Sequence, residues 1–465
     1  VPLPVLLEIV PLEKAVQAEI VVPGSKSITN RALILAALAS GETTLQGALW
    51  SEDTQVMVEC LQELGFMVNV QPDRNEICNR TITLYGKGGA VPRGGTREQP
   101  LELYVANAGT AARFLAAFVC LGQGVYRLSG VERMHERPQA ELFAALRQLG
   151  YRVESQQKNE RLPAIVSVEA TSRQEPRNCS VSIERSSQFA SALLLCASTG
   201  GWQVNIQDNN PEESPYIHMT SELVKVFPKS GGTFTIEPDA SSGSYFLAAG
   251  LLNPNSKARD VKGSASLGDS AAIRVANWPQ SSWQIDQNFG TALGPGFLEG
   301  LESWRSRKSD SEERDFKQPD PPISRARHLG DSIMTAIVLA PFSAAPVQFT
   351  DLGRLRLQEC ERVAALRTEL SRCGAKVIEK DDTLSVYPSP LHGAVIETYD
   401  DHRMAMCFAI LGLKIPGIQI KNPGCVKKTF PNFFQKLATP APKGLGVEIR
   451  DPRSGRALCA EELLA

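Results

Sequence analysis

The sequence carries almost no net charge: 49 Lys and Arg face 51 Asp and Glu, a formal −2. A general nucleic-acid binder needs a basic excess, so that class is excluded, though a local basic pocket is not. The ten cysteines include no CxxC pair, and no Cys/His group has zinc spacing. The histidines are dispersed, so no metal is expected. Cys120, Cys196 and Cys407 sit in apolar stretches and read as buried, reduced thiols of a cytoplasmic protein. Unbroken apolar runs of membrane length are missing. Ser186–Gln207 is uncharged but rich in Ser, Gln and Gly, and Ser332–Thr350 is broken by Pro341 and Pro346. The opening VPLPVLLEIVPLEK has neither the basic segment nor the cleavage site of a secretory signal, and a start at Val1 is compatible with a larger polypeptide.

What remains is a globular composition, 42% hydrophobic and 22% charged, over 465 residues. That length predicts two or three domains. Three times an amphipathic helix runs into a glycine and then a strand: LQELGFMVNV, LRQLGYRVES and LSRCGAKVIE. Gly65, Gly150 and Gly374 fit the position just past a helix, where a left-handed backbone ends it. A second group of helices is small and apolar nearly all round, which predicts burial: NRALILAALASG, GTAARFLAAFVCLG, SSQFASALLLCAS, SSGSYFLAAGLL, GDSIMTAIVLAP and DHRMAMCFAILGL. Polar residues precede many of them. The pattern predicts repeated α/β units with buried helices. Their free N–H groups could bind phosphate or carboxylate without any basic excess. Composition shifts between about Ser264 and Arg327, and Arg305–Pro322 reads as an exposed loop. Val22-Pro23-Gly24 and Glu237-Pro238-Asp239 are candidate boundaries.

Each polar cluster supports two readings. In PGSKSITNRALILAALASG, Gly24 permits a tight turn, and Lys26, Ser27 and Arg31 suit phosphate or form a solvated cap. No GxxxxGK[ST] loop is present. Asn107, Gly109, Thr110 and Arg113 surround another helix start, as a ligand approach or a turn. Arg137 precedes Pro138, the expected first residue of a helix, and is an anion clamp or a surface residue. Ser186, Ser187 and Gln188 are a phosphate cradle or an ordinary cap. Asp331 is a base or a cap. Glu359 and Arg362, three apart, would share a helix face as a surface pair or as site residues. Asp400, Asp401, His402 and Arg403 precede a buried helix, and Lys427 and Lys428 add cations.

GSKSITNRALILAAL, NAGTAARFL, ERP, SSQFASALLL, PDASSGSYFLAAG, LQECERVAAL, YDDHRMAM and KKTFP occur in that order. The series closely resembles the 5-enolpyruvylshikimate-3-phosphate synthase family from about Glu19 to Leu437, weakly between Ser264 and Arg327. The resemblance implies an α/β fold of two domains, each from three βαβαββ units with buried helices. Residues 23–238 would form a continuous domain, and 1–22 with 239–465 a discontinuous one that closes over the substrates and excludes water. It implies transfer of the enolpyruvyl group of phosphoenolpyruvate to the 5-hydroxyl of shikimate 3-phosphate, by addition–elimination between the domains, with release of phosphate. No metal or redox cofactor is implied. Nor is a nucleic-acid or membrane partner, and the protein would act as a monomer.

By resemblance, Lys26, Gly109, Arg137, Gln188, Arg362, Arg403 and Lys428 would surround phosphoenolpyruvate. Ser27, Arg31, Ser186, Ser187, Tyr216, Asp331 and Gln358 would hold shikimate 3-phosphate. Asp331, Glu359 and Lys26 would be catalytic, with Asp331 on the reacting hydroxyl, and His402 would support. Glyphosate would compete with phosphoenolpyruvate. The chain departs from the family pattern in three places. Gln358 replaces a usual Lys, removing a cation, with Arg354 and Arg356 nearby as substitutes. Arg354 itself stands where Asn is common. Glu213 falls in a usual Ser-x-Pro-Tyr segment, where an inward carboxylate would repel phosphate. These departures motivate an alternative, a degenerate relative that binds without turnover. A second alternative is the sister transferase acting on UDP-N-acetylglucosamine, although ERMHERPQ lacks that enzyme's cysteine.

Overall fold

The computed structural model describes residues 3–168, 177–207, 210, 213–254, 273–306 and 320–465. They form two compact units, one of Pro23–Glu237 and one of Val1–Val22 with Pro238–Ala465.

The six small-residue sequences are all helical. Lys26–Leu38, Gly109–Phe118 and Ser187–Gly200 belong to the first unit. Ala240–Leu252, Ile333–Leu339 and His402–Gly412 belong to the second. Burial on almost every face explains why each sequence lacks a polar stripe. Within each unit the three pack against one another. Ala and Gly at the contacts let the backbones approach. Both long uncharged sequence stretches turn out to be one of these helices followed by a strand, Trp202–Gln207 or Val347–Thr350. Among the described residues no helix is long and apolar enough to cross a membrane.

Sheets wrap the helices in a recurring βαβαββ order. In the first unit Leu101–Tyr104, Gly109–Phe118, Gly124–Ser129, Ala140–Gln148, Arg152–Ser155 and Ala164–Val168 follow it, with the short helix Glu132–Glu136 interposed. The first two strands pair parallel and the rest antiparallel. Ile323–Ser324, Val347–Thr350, Val377–Lys380 and Thr383–Val386 repeat this pairing in the second unit. Another repeat is closed from a distance: Gly232–Thr235 lies parallel to Glu42–Leu49, which continues antiparallel into Asn79–Tyr85 and Val68–Pro72. In the second unit Leu6–Ile9 is inserted between Ile418–Lys421 and Ile449–Asp451.

The three helix-ending glycines behave alike. Gly65, Gly150 and Gly374 have φ of +88°, +86° and +95°. The residue after each donates its N–H back to Leu61, Leu146 or Leu370. The glycine itself donates to Gln62, Arg147 or Ser371. This is the Schellman arrangement, and it aims each following strand.

Three expectations need correction. Gly24 lies in a β-bridge and not in a tight turn. It is required by crowding, because a Cβ there would stand 2.0 Å from the Gly47 carbonyl oxygen. Pro138 does not open a helix, since Ala140–Gln148 starts after Gln139. The expected 305–322 loop begins inside a helix, Pro295–Ser306, whose earlier residues Phe297, Leu298 and Leu301 are buried. Residues 255–272 and 307–319 lie outside the described residues, and with them the rest of that expectation.

Candidate functional site

In the Pro23–Glu237 unit the N-termini of the three buried helices gather their polar residues. Gln188 joins two of them: its amide donates to Thr110 Oγ1 at 3.2 Å, and its carbonyl accepts from Arg113. Arg113 also donates to the Pro138 carbonyl at 3.1 Å and lies over the Phe189 ring. Arg137 reaches the start of the Gly109–Phe118 helix, donating to the Asn107 carbonyl at 3.1 Å. Its guanidinium fills the space beside Gly109, where a Cβ would come within 2.6 Å of it. Lys26, the first residue of its helix, pairs with Asp53 at 3.2 Å. Neither the Lys26–Leu38 nor the Gly109–Phe118 helix has a side-chain hydrogen bond at its cap.

The third helix start is different. Ser186 Oγ caps Ser187–Gly200 by accepting from the Gln188 N–H at 3.3 Å. The backbone N–H of Ser187 donates to the carboxylate of Glu213, which is 3% exposed. The departure noted in sequence thus points inward, onto the tip that carries Ser186 and Ser187.

Arg31 is an internal tie. It is buried, and its guanidinium donates to Thr220 Oγ1 (2.7 Å), the Ser27 carbonyl (2.9 Å), Ser191 Oγ (3.2 Å) and the Tyr216 carbonyl (3.4 Å). It also lies over Phe114. Burial lowers its pKa to about 10. These bonds join three helices and leave the guanidinium little capacity for a ligand, against the sequence expectation. Ser27 and Tyr216 thus meet Arg31 through their backbone carbonyls, with both side chains half-buried.

The other unit holds a chain of charges. Asp331 meets Arg325 at 3.0 Å, Arg403 at 3.3 Å and Arg362 at 3.9 Å. Burial alone would raise its pKa, but Arg403, Arg325 and Arg362 hold its carboxyl far below the ordinary range. Arg362 continues the chain to Asp401 at 2.6 Å and Glu359 at 2.7 Å, and it donates to the Gln358 carbonyl. Glu359 in turn meets Lys428 at 3.0 Å. Arg403 donates to Ser241 Oγ at 3.1 Å, which brings in the third helix start. His402 is the buried first residue of its helix.

This differs from the sequence reading in two respects. Glu359 and Arg362 do not share a helix face, because the helix begins at Arg362; they pair across the preceding loop. Asp331 is not a cap. It stands before the cap residue Ser332, whose N–H is taken at 2.6 Å by Asp286. Asp286, buried beside Asp331, is pushed up to about 6 by burial and by the neighbouring negative charge. Asp286 and Arg325 escape a sequence reading because they lie in or beside the weakly resembling segment, and nothing local marks either residue. Arg356 does not replace the lost lysine: it is engaged by Glu361, Glu379 and Asp382. All ten cysteines are free thiols, and burial raises the pKa of Cys120, Cys196 and Cys407.

Each unit therefore presents helix starts lined with cations. One set is Lys26, Arg137, Gln188, Ser186 and Ser187; the other is Asp331, Glu359, Arg362, Arg403 and Lys428. Such sets suit phosphate and carboxylate groups, and they set two carboxylates, Glu359 and Asp331, among the cations.

Comparison with known proteins agrees with this chemistry. The family model described as EPSP synthase (3-phosphoshikimate 1-carboxyvinyltransferase) matches residues 12–230 and 224–437. A 3-phosphoshikimate 1-carboxyvinyltransferase from Trichormus variabilis is 34% identical over 446 residues, covering 92% of this chain and 97% of that protein. One from Vibrio atlanticus is 36% identical, covering 93% and 98%. In fold, the chain is similar to an EPSP synthase from Acinetobacter baumannii, with a TM-score of 0.69, 18% identity and coverage of 96% and 100%. It is also similar to the enolpyruvyl transferase NikO from Streptomyces tendae, with a TM-score of 0.58, 17% identity and coverage of 96% and 98%.

Proposed function

The chain belongs to the EPSP synthase family, and on that premise we propose how its residues serve the reaction. The enzyme transfers the enolpyruvyl group of phosphoenolpyruvate to the 5-hydroxyl of shikimate 3-phosphate. The 5-hydroxyl gives up its proton as its oxygen bonds to C2 of phosphoenolpyruvate, and C3 takes a proton to become a methyl. Loss of a proton from that methyl, with cleavage of the C2–O bond to phosphate, then restores the double bond and frees inorganic phosphate.

Lys26, Arg137, Arg362, Arg403 and Lys428 neutralise the phosphate and carboxylate of phosphoenolpyruvate, with Gln188 hydrogen-bonding beside Gly109. Ser27, Ser186, Ser187 and Tyr216 hold shikimate 3-phosphate, and Gln358 hydrogen-bonds it without supplying charge. The observation that carries this reading is the run Arg403–Asp331–Arg362–Glu359–Lys428, which joins two carboxylates to three cations through contacts of 3.3, 3.9, 2.7 and 3.0 Å. Without substrate, Asp331 is too strongly neutralised to be an effective base. Anions that engage Arg362 and Arg403 weaken that hold and raise its basicity toward the hydroxyl. Glu359, shared by Arg362 and Lys428, moves the proton at C3. His402 supports Asp401 and Arg403 from the same helix start.

The free thiols fit a reducing compartment and favour a cytoplasmic protein. The curated relatives named above act on shikimate 3-phosphate by name, which favours that acceptor over UDP-N-acetylglucosamine. The test is phosphate release. It should require both substrates; tight binding of both with no phosphate release would leave the degenerate reading standing.

A further inference from the structure

Among the three buried helix starts described in the Pro23–Glu237 unit, that of Ser187–Gly200 has a backbone N–H held by a carboxylate of the protein, whereas at the Lys26–Leu38 start Asp53 pairs with the Lys26 ammonium instead. The Lys26–Leu38 and Gly109–Phe118 helices have no side-chain cap bond. At Ser187–Gly200 the Ser187 N–H is held by the Glu213 carboxylate and the Gln188 N–H by Ser186 Oγ. Glu213 is 3% exposed, so its charge is poorly screened by water. A carboxylate there satisfies a helix terminus electrostatically, as an anion ligand would.

We infer that Glu213 is a specificity-determining residue, an internal anion that occupies the Ser186–Ser187 tip and competes with the phosphate of shikimate 3-phosphate. The inference rests on the placement of that phosphate proposed above. A dianionic phosphate and the carboxylate cannot share one N–H donor, and their like charges repel at contact distance. Binding therefore exchanges one for the other. Glu213 is suited to leave: it precedes the Ser214–Val226 helix at its cap position, so a side-chain rotation moves the carboxylate without unwinding either helix. The consequence is a weakened affinity for the phosphorylated acceptor, with little bearing on phosphoenolpyruvate.

Two variants separate charge from shape. Glu213→Gln keeps an acceptor for the Ser187 N–H and removes the charge; Glu213→Ser removes both. Calorimetric titration of shikimate 3-phosphate into the full chain should show about tenfold or tighter binding in both variants, a change equivalent to about 1.4 kcal/mol. KM for shikimate 3-phosphate should fall in step, and KM for phosphoenolpyruvate should shift much less. Thermal stability without substrate should drop in Glu213→Ser and hold in Glu213→Gln. Unchanged or weaker binding in both variants, or equal movement of both KM values, would overturn the inference. The parent distinguishes the two levels. If it releases phosphate from both substrates while the variants bind no tighter, only the role of Glu213 fails. If neither parent nor variants bind shikimate 3-phosphate, the placement of the acceptor fails and this inference with it.

Discussion

Replacing Asp286 by Asn should stabilise the protein at neutral pH, and the gain should vanish in acid. The Asp286 carboxylate is 8% exposed and accepts from the Ser332 N–H at 2.6 Å. Its pKa rises from 3.8 to about 6, chiefly through burial and then through the charge of Asp331. A carboxyl whose pKa is raised by folding binds more protons in the native state than in the unfolded one. Its contribution is therefore most favourable below pH 4 and is lost as pH rises through about 6. At about 1.36 kcal/mol per unit, the loss amounts to about 3 kcal/mol by pH 7. Asn retains a carbonyl for Ser332 and carries no charge. The stability difference between variant and parent should grow from near zero at pH 4 to about 3 kcal/mol at pH 7. Asp331 works in the opposite sense, because its depressed pKa adds stability above the ordinary carboxyl range, but it does so in both proteins. Urea denaturation at several pH values, followed by tryptophan fluorescence, measures the difference; Trp278 donates to the Gln287 carbonyl next to the site. A difference that stays flat from pH 4 to 7, or a variant less stable at pH 7, would refute the reasoning.

Gly109→Ala should force the Arg137 guanidinium away, since the new Cβ would stand 2.6 Å from it; steady-state kinetics should show KM for phosphoenolpyruvate raised by about tenfold or more, the scale of one lost charge-assisted hydrogen bond. Arg31→Met should cost about 3 kcal/mol of stability, as removal of one partner from a buried polar network does, and thermal unfolding would show it; a change confined to substrate KM would instead favour the ligand role read from sequence. Glu359→Gln should lower kcat by about a hundredfold, within the range of lost general acid–base catalysis, while binding of both substrates by calorimetry changes little.

The buried helices were legible because small apolar residues on every side allow one placement only, the interior. The helix-ending glycines were legible for an equally local reason, the positive φ that the chain needs there. The polar clusters were readable as a set but not one by one. Arg31 looks like a phosphate ligand because it follows Lys26 and Ser27. Its partners Thr220 and Ser191 lie 189 and 160 residues away, and no local pattern announces them. Glu359 and Arg362 have helical spacing, yet the helix begins only at the second of them. Asp286 reaches Ser332 across 46 residues, so its capping role exists only in the folded chain. Local chemistry predicts which groups are present, whereas long-range packing decides which of them are already spoken for.

The strand Leu6–Ile9 lies between two strands from the far end of the chain, Ile418–Lys421 and Ile449–Asp451. During synthesis those early residues emerge long before their neighbours exist. Pro23–Glu237 can complete its sheets as soon as Gly232–Thr235 emerges, while the other unit must wait, one exposed apolar ribbon in hand, until the last strands arrive. The order of translation thus makes one half of the molecule an early folder and the other a late one, most vulnerable to aggregation in the interval between them.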